Sequence, residues 1–224
     1  FGGDILPHGR DTDVLDPARH DRAAGRARLG IAEGRPLVIF LGTPRPHKGL
    51  ESLAEAVAQL ADLDALLAIV GAPPGDAWCQ GLAAAHPHAV RLFPPQPWSL
   101  LGPTLAAADA VALPQALLPF TEAQVPAKVY DAMAMARPIV ASAVGDLPEI
   151  LDEGAAGLLV PPGDTPALAA ALRRLLTDRE LAAGLGAAAR RRAVERYSYG
   201  AMERVLEEVF QRLPVRGRQD TLNA

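Results

Sequence analysis

The stretch PLVIFLGTPRPHKGLESLAEAVAQL, residues 36–60, decides the fold. It opens on a continuous apolar run that stops at Gly42, which reads as a strand buried on both faces. A Pro- and Gly-bearing loop follows. Apolar residues then recur at Leu50, Leu53, Val57 and Leu60, the spacing of one helix face. Buried strand, loop and amphipathic helix make the opening half of a β-α-β unit.

The pattern repeats outward. ALLAIVG (65–71), AVRLF (89–93), AVALP (110–114) and PIVAS (138–142) read as buried strands, and GLLVPPGD (157–164) as a last short strand and turn. Between them, residues 76–85, WSLLGPTLAAAD (98–109) and PAKVYDAMAMA (126–136) read as helix, the last with Pro at its start. LLPFTEAQ (117–124) reads as loop and GDLPEILDEG (145–154) as a helical turn. Upstream, PARHDRAAGRARLG (17–30) reads as a short helix closed by a left-handed Gly30. From residue 165 onward only helix is expected, in three segments, TPALAAALRRLLTD, DRELAAGLGAAARRRAVERY and SYGAMERVLEEVFQRL. Strands alternating with helices imply an α/β fold, a Rossmann-like parallel sheet with helices on both faces and a helical C-terminus. Residues 1–17 read as a turn-rich segment ahead of the domain at 18–212, and 213–224 as a flexible tail.

Bulk properties narrow the function. The chain has 224 residues, half of them apolar, a net charge of −4 and a pI near 5.7. That balance argues against a nucleic-acid binder held by a basic face. The single Cys79 excludes an internal disulfide framework and fits a reducing, cytoplasmic setting. No apolar run approaches the roughly 20 residues of a spanning helix.

Of 22 basic residues only two are lysine, Lys48 and Lys128. In a chain that otherwise writes arginine, a compact ammonium at two places is a signal. Both fall at loop–helix junctions beyond the carboxyl ends of strands, where open parallel sheets bind ligands. A lysine in a helix's first turn opposes the helix dipole unless an anion sits beside it. Two of them on one edge, with Arg45 three residues before Lys48, suggest a shared anion such as a diphosphate.

Other motifs read as structural. DTD (11–13) and DLD (62–64) lie in turns, and a lone D-x-D is a weak metal signal. GLGAAA (184–189) mimics a dinucleotide fingerprint, but a helix surrounds it and no strand precedes it. His86 and His88 have no evident third ligand for zinc. His47, beside Lys48, reads equally as a solvated loop residue or a phosphate contact. RRRAVER (190–196) reads as a solvated basic face, with contact to anionic lipid left open. Trp98 and Tyr130 read as core or base-stacking positions. No metal site and no cofactor are expected.

In their order, five segments resemble the group 1 family of GT-B glycosyltransferases. ILPHGRDTDVLDP is similar to the family's interdomain segment, usually I-P-N-G-V-D with a Pro following. FLGTPRPHKGLESLAEA resembles G-R-x-x-x-x-K-G-x-x-x-L-x-x-A, and AADAVALP the A-D-x-x-x-x-P strand. KVYDAMAMARPIVASAVGDLPEIL resembles E-A-M-A-x-G-x-P-V-V-A-x-x-x-G-x-x-E, and GLLVPPGDTPALAAAL the stretch after it. The resemblance covers nearly the whole chain.

It implies the nucleotide-sugar-binding C-terminal half of a glycosyltransferase, with an acceptor-binding half expected before Phe1. The partner implied is a nucleotide-diphosphate sugar, a UDP- or GDP-sugar, transferred with retention to a hydroxyl acceptor. Lys48, with Arg45, would neutralise the leaving diphosphate. Gly42, Thr43 and Gly49 would shape its loop. The N–H groups around Val125 to Ala127, in the turn that contains Pro126, would hold the phosphates beside Lys128, and Asp131 would accept from the ribose. The loop GAPP (71–74) and the turn PPQP (94–97) would border the base. Three departures stand out. Thr43 replaces the family's arginine, Ala123 falls where the first Glu of E-x7-E belongs with Glu122 one place off, and Ala136 replaces a glycine. They leave an alternative, a catalytically inactive nucleotide-sugar-binding or regulatory module.

Overall fold

A computed structural model describes residue 6 and residues 8–212. The first residues of the leading segment and the whole 213–224 tail lie outside the described residues. Six strands form one sheet: β1 (Leu37–Leu41), β2 (Leu66–Val70), β3 (Val90–Phe93), β4 (Ala110–Leu113), β5 (Ile139–Ser142) and β6 (Leu158–Val160). Their order is β3-β2-β1-β4-β5-β6 and every neighbouring pair is parallel. Each of the six strands lies where the apolar runs place it.

Both faces of the sheet are covered, which is why the strands read as unbroken apolar runs. Side chains still alternate: Leu37, Ile39 and Leu41 enter one core layer, Val38 and Phe40 the other. On the second face lie α2 (Leu50–Ala58), α3 (Ala77–Ala85) and α8 (Thr165–Thr177). The first face carries α4 (Leu101–Ala106), α6 (Lys128–Ala134), α7 (Leu147–Ile150) and α9 (Arg179–Arg196). A short α1 (Arg22–Arg28) precedes the sheet and α10 (Tyr199–Arg212) ends the described chain.

The divergence of neighbouring loops follows. The chain leaves β1 toward α2 on one face and leaves β4 toward α6 on the other. Between β1 and β4 the strand order reverses, and a crevice opens at the strands' carboxyl ends.

Local detail corrects the sequence reading in three places. The segment at 17–30 is a 3₁₀ turn, Pro17–Arg19, followed by α1, with Asp21 capping Ala24 N; Gly30 does close it left-handed at φ 61°. Lys48 belongs to a 3₁₀ turn, Pro46–Lys48, and α2 starts only at Leu50 because Gly49 is left-handed. The supposed loop at 117–124 contains α5 (Pro119–Glu122), where Pro119 opens the turn and Thr121 Oγ1 accepts from Leu118 N. Single Asp178 divides α8 from α9, its carboxylate accepting from Leu181 N.

Arg10 and Leu15 of the leading segment pack on this domain. Arg10 N donates to Tyr197 O and Tyr199 N to Arg10 O, and Leu15 is buried.

Candidate functional site

The crevice at the β1–β4 switch is a cleft of about 520 Å³. Leu41, Gly42, Thr43 and Lys48 form its wall from β1, and Val70 with Gly71 continue it at β2. Val125 to Lys128 and Asp131 close it from α6, and Pro95 to Trp98 with Thr104 close it opposite. The sequence-based expectation that GAPP and PPQP face one site is matched at Gly71 and Pro95 to Pro97. Trp98 is not core: it is 57% exposed on the cleft lip. Tyr130 is core, packed edge-on to His8 and tilted against Tyr197.

The two lysines do converge on this cleft. Lys48 Nζ donates to Thr43 O at 2.7 Å. Lys128 Nζ donates to Leu41 O at 2.8 Å and stands 3.6 Å over the Phe40 ring. An ammonium has three donors, so each lysine has used one and keeps two. Neither forms an ion pair among the described residues, and their charges work against one another. Burial pushes Lys128 well below the ordinary lysine value, with the Lys48 charge adding to it. Burial and then Arg45 lower Lys48. His47 is lowered by burial, then by Lys48, Arg45 and Lys128. Half-buried cations, Lys128 depressed by Lys48 and Lys48 by Arg45, are an arrangement that suits an anion.

Not every anticipated residue reaches the cleft. Arg45 is exposed and outside its walls, and acts on Lys48 and His47 only as a nearby charge. Gly49 faces a neighbouring hollow of about 190 Å³ and packs on the Pro114 carbonyl. Glu122 and Ala123 are exposed and outside the cleft; the Glu122 carbonyl lies instead beneath left-handed Gly145. The stretch between β4 and α6 folds into α5 and carries both away. His47 turns its ring edge to Phe120 at 5.1 Å between centroids.

Asp131 lines the cleft and is 7% exposed. Its partner went unforeseen: Arg10 Nε donates to Oδ1 at 2.5 Å, and Arg10 Nη2 to Ala127 O at 3.1 Å. Burial raises the Asp131 carboxyl, and Arg10 holds against that rise. Arg10 thus ties the leading segment to the start of α6. The only sequence signal was an arginine where the family pattern has an apolar residue. Arg10→Met should leave a buried carboxylate uncompensated, costing about 3–5 kcal/mol at neutral pH. Because a raised carboxyl pKa means stability lost as pH climbs through it, acid should partly rescue this variant. Chemical denaturation at pH 5 and 7.5 checks both, and an unchanged midpoint at either pH would contradict the pairing.

The decoys resolve structurally. Asp11 Oδ1 accepts from Asp13 N and Val14 N, a local turn. Asp62 takes a two-pronged bond from Arg173, and Asp64 pairs with Arg35. Gly186 lies inside α9, where a Cβ would meet Ala136 O at 2.4 Å. In the basic run, Arg190 bonds the carbonyls of Leu15, Ala134 and Thr12, and Arg192 those of Ile150 and Glu149. Those two arginines are packing anchors and not an open basic face. Among the described residues no three His, Cys, Asp or Glu are grouped to hold a metal, and no helix is long and apolar enough to cross a membrane.

A family model described as "Glycosyl transferases group 1" matches residues 35–178, from the approach to β1 through α8. The chain belongs to this family. It is similar to D-inositol 3-phosphate glycosyltransferase of Geodermatophilus obscurus, 36% identical over 204 residues, covering 84% of this chain and 43% of that one. The namesake from Kineococcus radiotolerans is 33% identical over 235 residues, 93% of this chain and 51% of that one. Among solved structures, sucrose-phosphate synthase of Thermosynechococcus elongatus superposes with a TM-score of 0.79 at 27% identity, covering 93% of this chain and 52% of that one. Anabaena HepE in complex with UDP and glucose shares the fold, with a TM-score of 0.76 at 21% identity over 94% of this chain and 57% of that one. The group 1 glycosyltransferase chain therefore spans about half the length of the relatives it matches. Its sheet is the Rossmann-like half of a GT-B glycosyltransferase.

Proposed function

We infer that this domain binds the nucleotide-diphosphate sugar of a group 1 glycosyltransferase and stabilises the diphosphate as it leaves. The observation that carries the reading is the pair of ammonium groups, Lys48 and Lys128, that line the switch-point cleft with no ion-pair partner among the described residues. When the bond from the anomeric carbon to the phosphate oxygen breaks, its electron pair stays on the diphosphate. Two fixed ammoniums in a partly buried site stabilise that developing charge more than water would. Asp131 Oδ1 is taken by Arg10, and its other oxygen, without a protein donor among the described residues, suits a ribose hydroxyl. Gly71 and Pro95 to Trp98, which line the cleft, would border the base. A UDP-sugar is the first donor to test, since the fold is shared with a protein solved with UDP. Transfer with retention to a hydroxyl acceptor is the reaction the family resemblance supports.

The acceptor half is expected from the remainder of a protein about twice this length. We therefore expect the 224-residue chain to bind UDP yet transfer no sugar. A radiolabelled UDP-sugar assay, with and without the preceding half joined to it, checks this; transfer by this chain alone would contradict it. The inactive-module reading is supported by Ala123 and by the absence of Arg45 and Glu122 from the cleft. The same assay decides it: a joined protein that binds donor and transfers nothing is that module.

A further inference from the structure

Gln115 follows Pro114 at the end of β4 and is 5% exposed. Among the described residues its Nε2 is the one buried side-chain polar atom without a hydrogen-bond partner. A buried amide donor left unpaired is costly, and such groups in native proteins mark water, strain or function. Gln115 lines the main cleft and also the smaller hollow beside it, so it stands at the partition between them. Its loop is docked on the loop that holds Lys48: Ala116 N donates to His47 O, and Gly49 packs on Pro114 O.

Three protein acceptors on the cleft's walls are already engaged. Leu41 O takes Lys128, Thr43 O takes Lys48, and Asp131 Oδ1 takes Arg10. Lys48 and Lys128 bring only donors. A ligand in the cleft can bring the acceptor that Nε2 lacks, and the richest acceptor in the proposed ligand is its diphosphate. We propose that the Gln115 carboxamide donates to the outer phosphate of the nucleotide sugar, beside Lys48. The proposal rests on the donor-domain reading. A neutral donor suits the position because it adds a bond without adding a further cation to the mutually repelling Lys48, Lys128 and Arg45.

The test is titration of UDP, UMP and a UDP-sugar against this chain and Gln115→Met, which keeps length and loses the donor. UDP binding should weaken about ten- to a hundredfold, the range of one hydrogen bond to a charged group. UMP, lacking the outer phosphate, should change less than about threefold by the same argument. The unliganded variant should melt no lower than the parent chain, because no protein bond is lost. If Gln115→Met fails to fold, Gln115→Glu serves: a carboxylate facing the phosphate should abolish UDP binding with the fold retained. Equal UDP affinities would overturn the proposal and assign Nε2 to a water. A loss confined to the UDP-sugar, or equal for UMP and UDP, would also overturn it. A parent chain that binds none of the three would bring down the donor-domain reading and this proposal with it.

Discussion

Lys128→Met is expected to weaken UDP binding about ten- to a hundredfold while leaving the unliganded chain as stable as before or more so at neutral pH. The binding loss follows from removing one charge-assisted contact, about 1.5–3 kcal/mol. The stability side follows from the site's electrostatics. Burial and Lys48 hold the Lys128 pKa well below its ordinary value of 10.5. Between the lowered folded value and 10.5 the unfolded chain binds more protons than the folded one, so stability rises with pH across that window. Below it, the charged Lys128 is a cost of folding. Methionine fills the stem's place, removes that cost, and forfeits only the bond to Leu41 O and the contact with Phe40. Denaturation midpoints from pH 7 to 10 should climb in the parent chain and climb less in the variant. UDP should bind with proton uptake over the same range, since an anion restores the ammonium's pKa. A variant much less stable at pH 7, with unaltered UDP affinity, would make Lys128 an ordinary structural lysine.

Gly49→Ala carries a large expected cost in stability. Gly49 is left-handed, at φ 61°, and a Cβ there would lie 1.8 Å from Pro114 O. The left-handed backbone costs about 1–2 kcal/mol for an L-residue. The overlap is with backbone, which cannot swing aside, and overpacking adds about 1–3 kcal/mol or more. A loss of about 2–5 kcal/mol is expected from these two terms. The consequence reaches the site, because Gly49 is where the Lys48 loop docks on the Gln115 loop at the switch point. Thermal melting and UDP titration should both register it. Gly34→Ala, which meets nothing within 4 Å, is the control and should change neither. Equal melting temperatures for Gly49→Ala and the parent chain would mean the two loops are not locked together.

The sheet was legible because its strands are buried on both faces. Runs such as LVIFL and LLAIV need no alternation, and glycines end both, Gly42 at φ 106° and Gly71 at φ 116°. The lysines were legible because the chain's arginine bias made them exceptional, and strand-end position then sent both to one cleft. Asp131 was legible by family pattern, but its Arg10 partner was not, since 121 residues separate them and no periodic signal joins them. Gln115 carried no signal at all: its meaning lies in a missing partner, which only packing reveals. Arg45, Gly49 and Glu122 sit near the right residues in sequence and away from the cleft in space. A proline-opened 3₁₀ turn and the short α5 redirect them, and neither is visible in apolar spacing.

The central claim is that Lys48 and Lys128 hold one diphosphate. The most direct measurement is isothermal titration of UDP against the parent chain, Lys48→Met, Lys128→Met and the double variant. Each single variant should bind about ten- to a hundredfold more weakly, and the double variant should fall short of or exceed the sum, because two contacts to one anion are coupled. UDP affinity indifferent to both substitutions would contradict the claim.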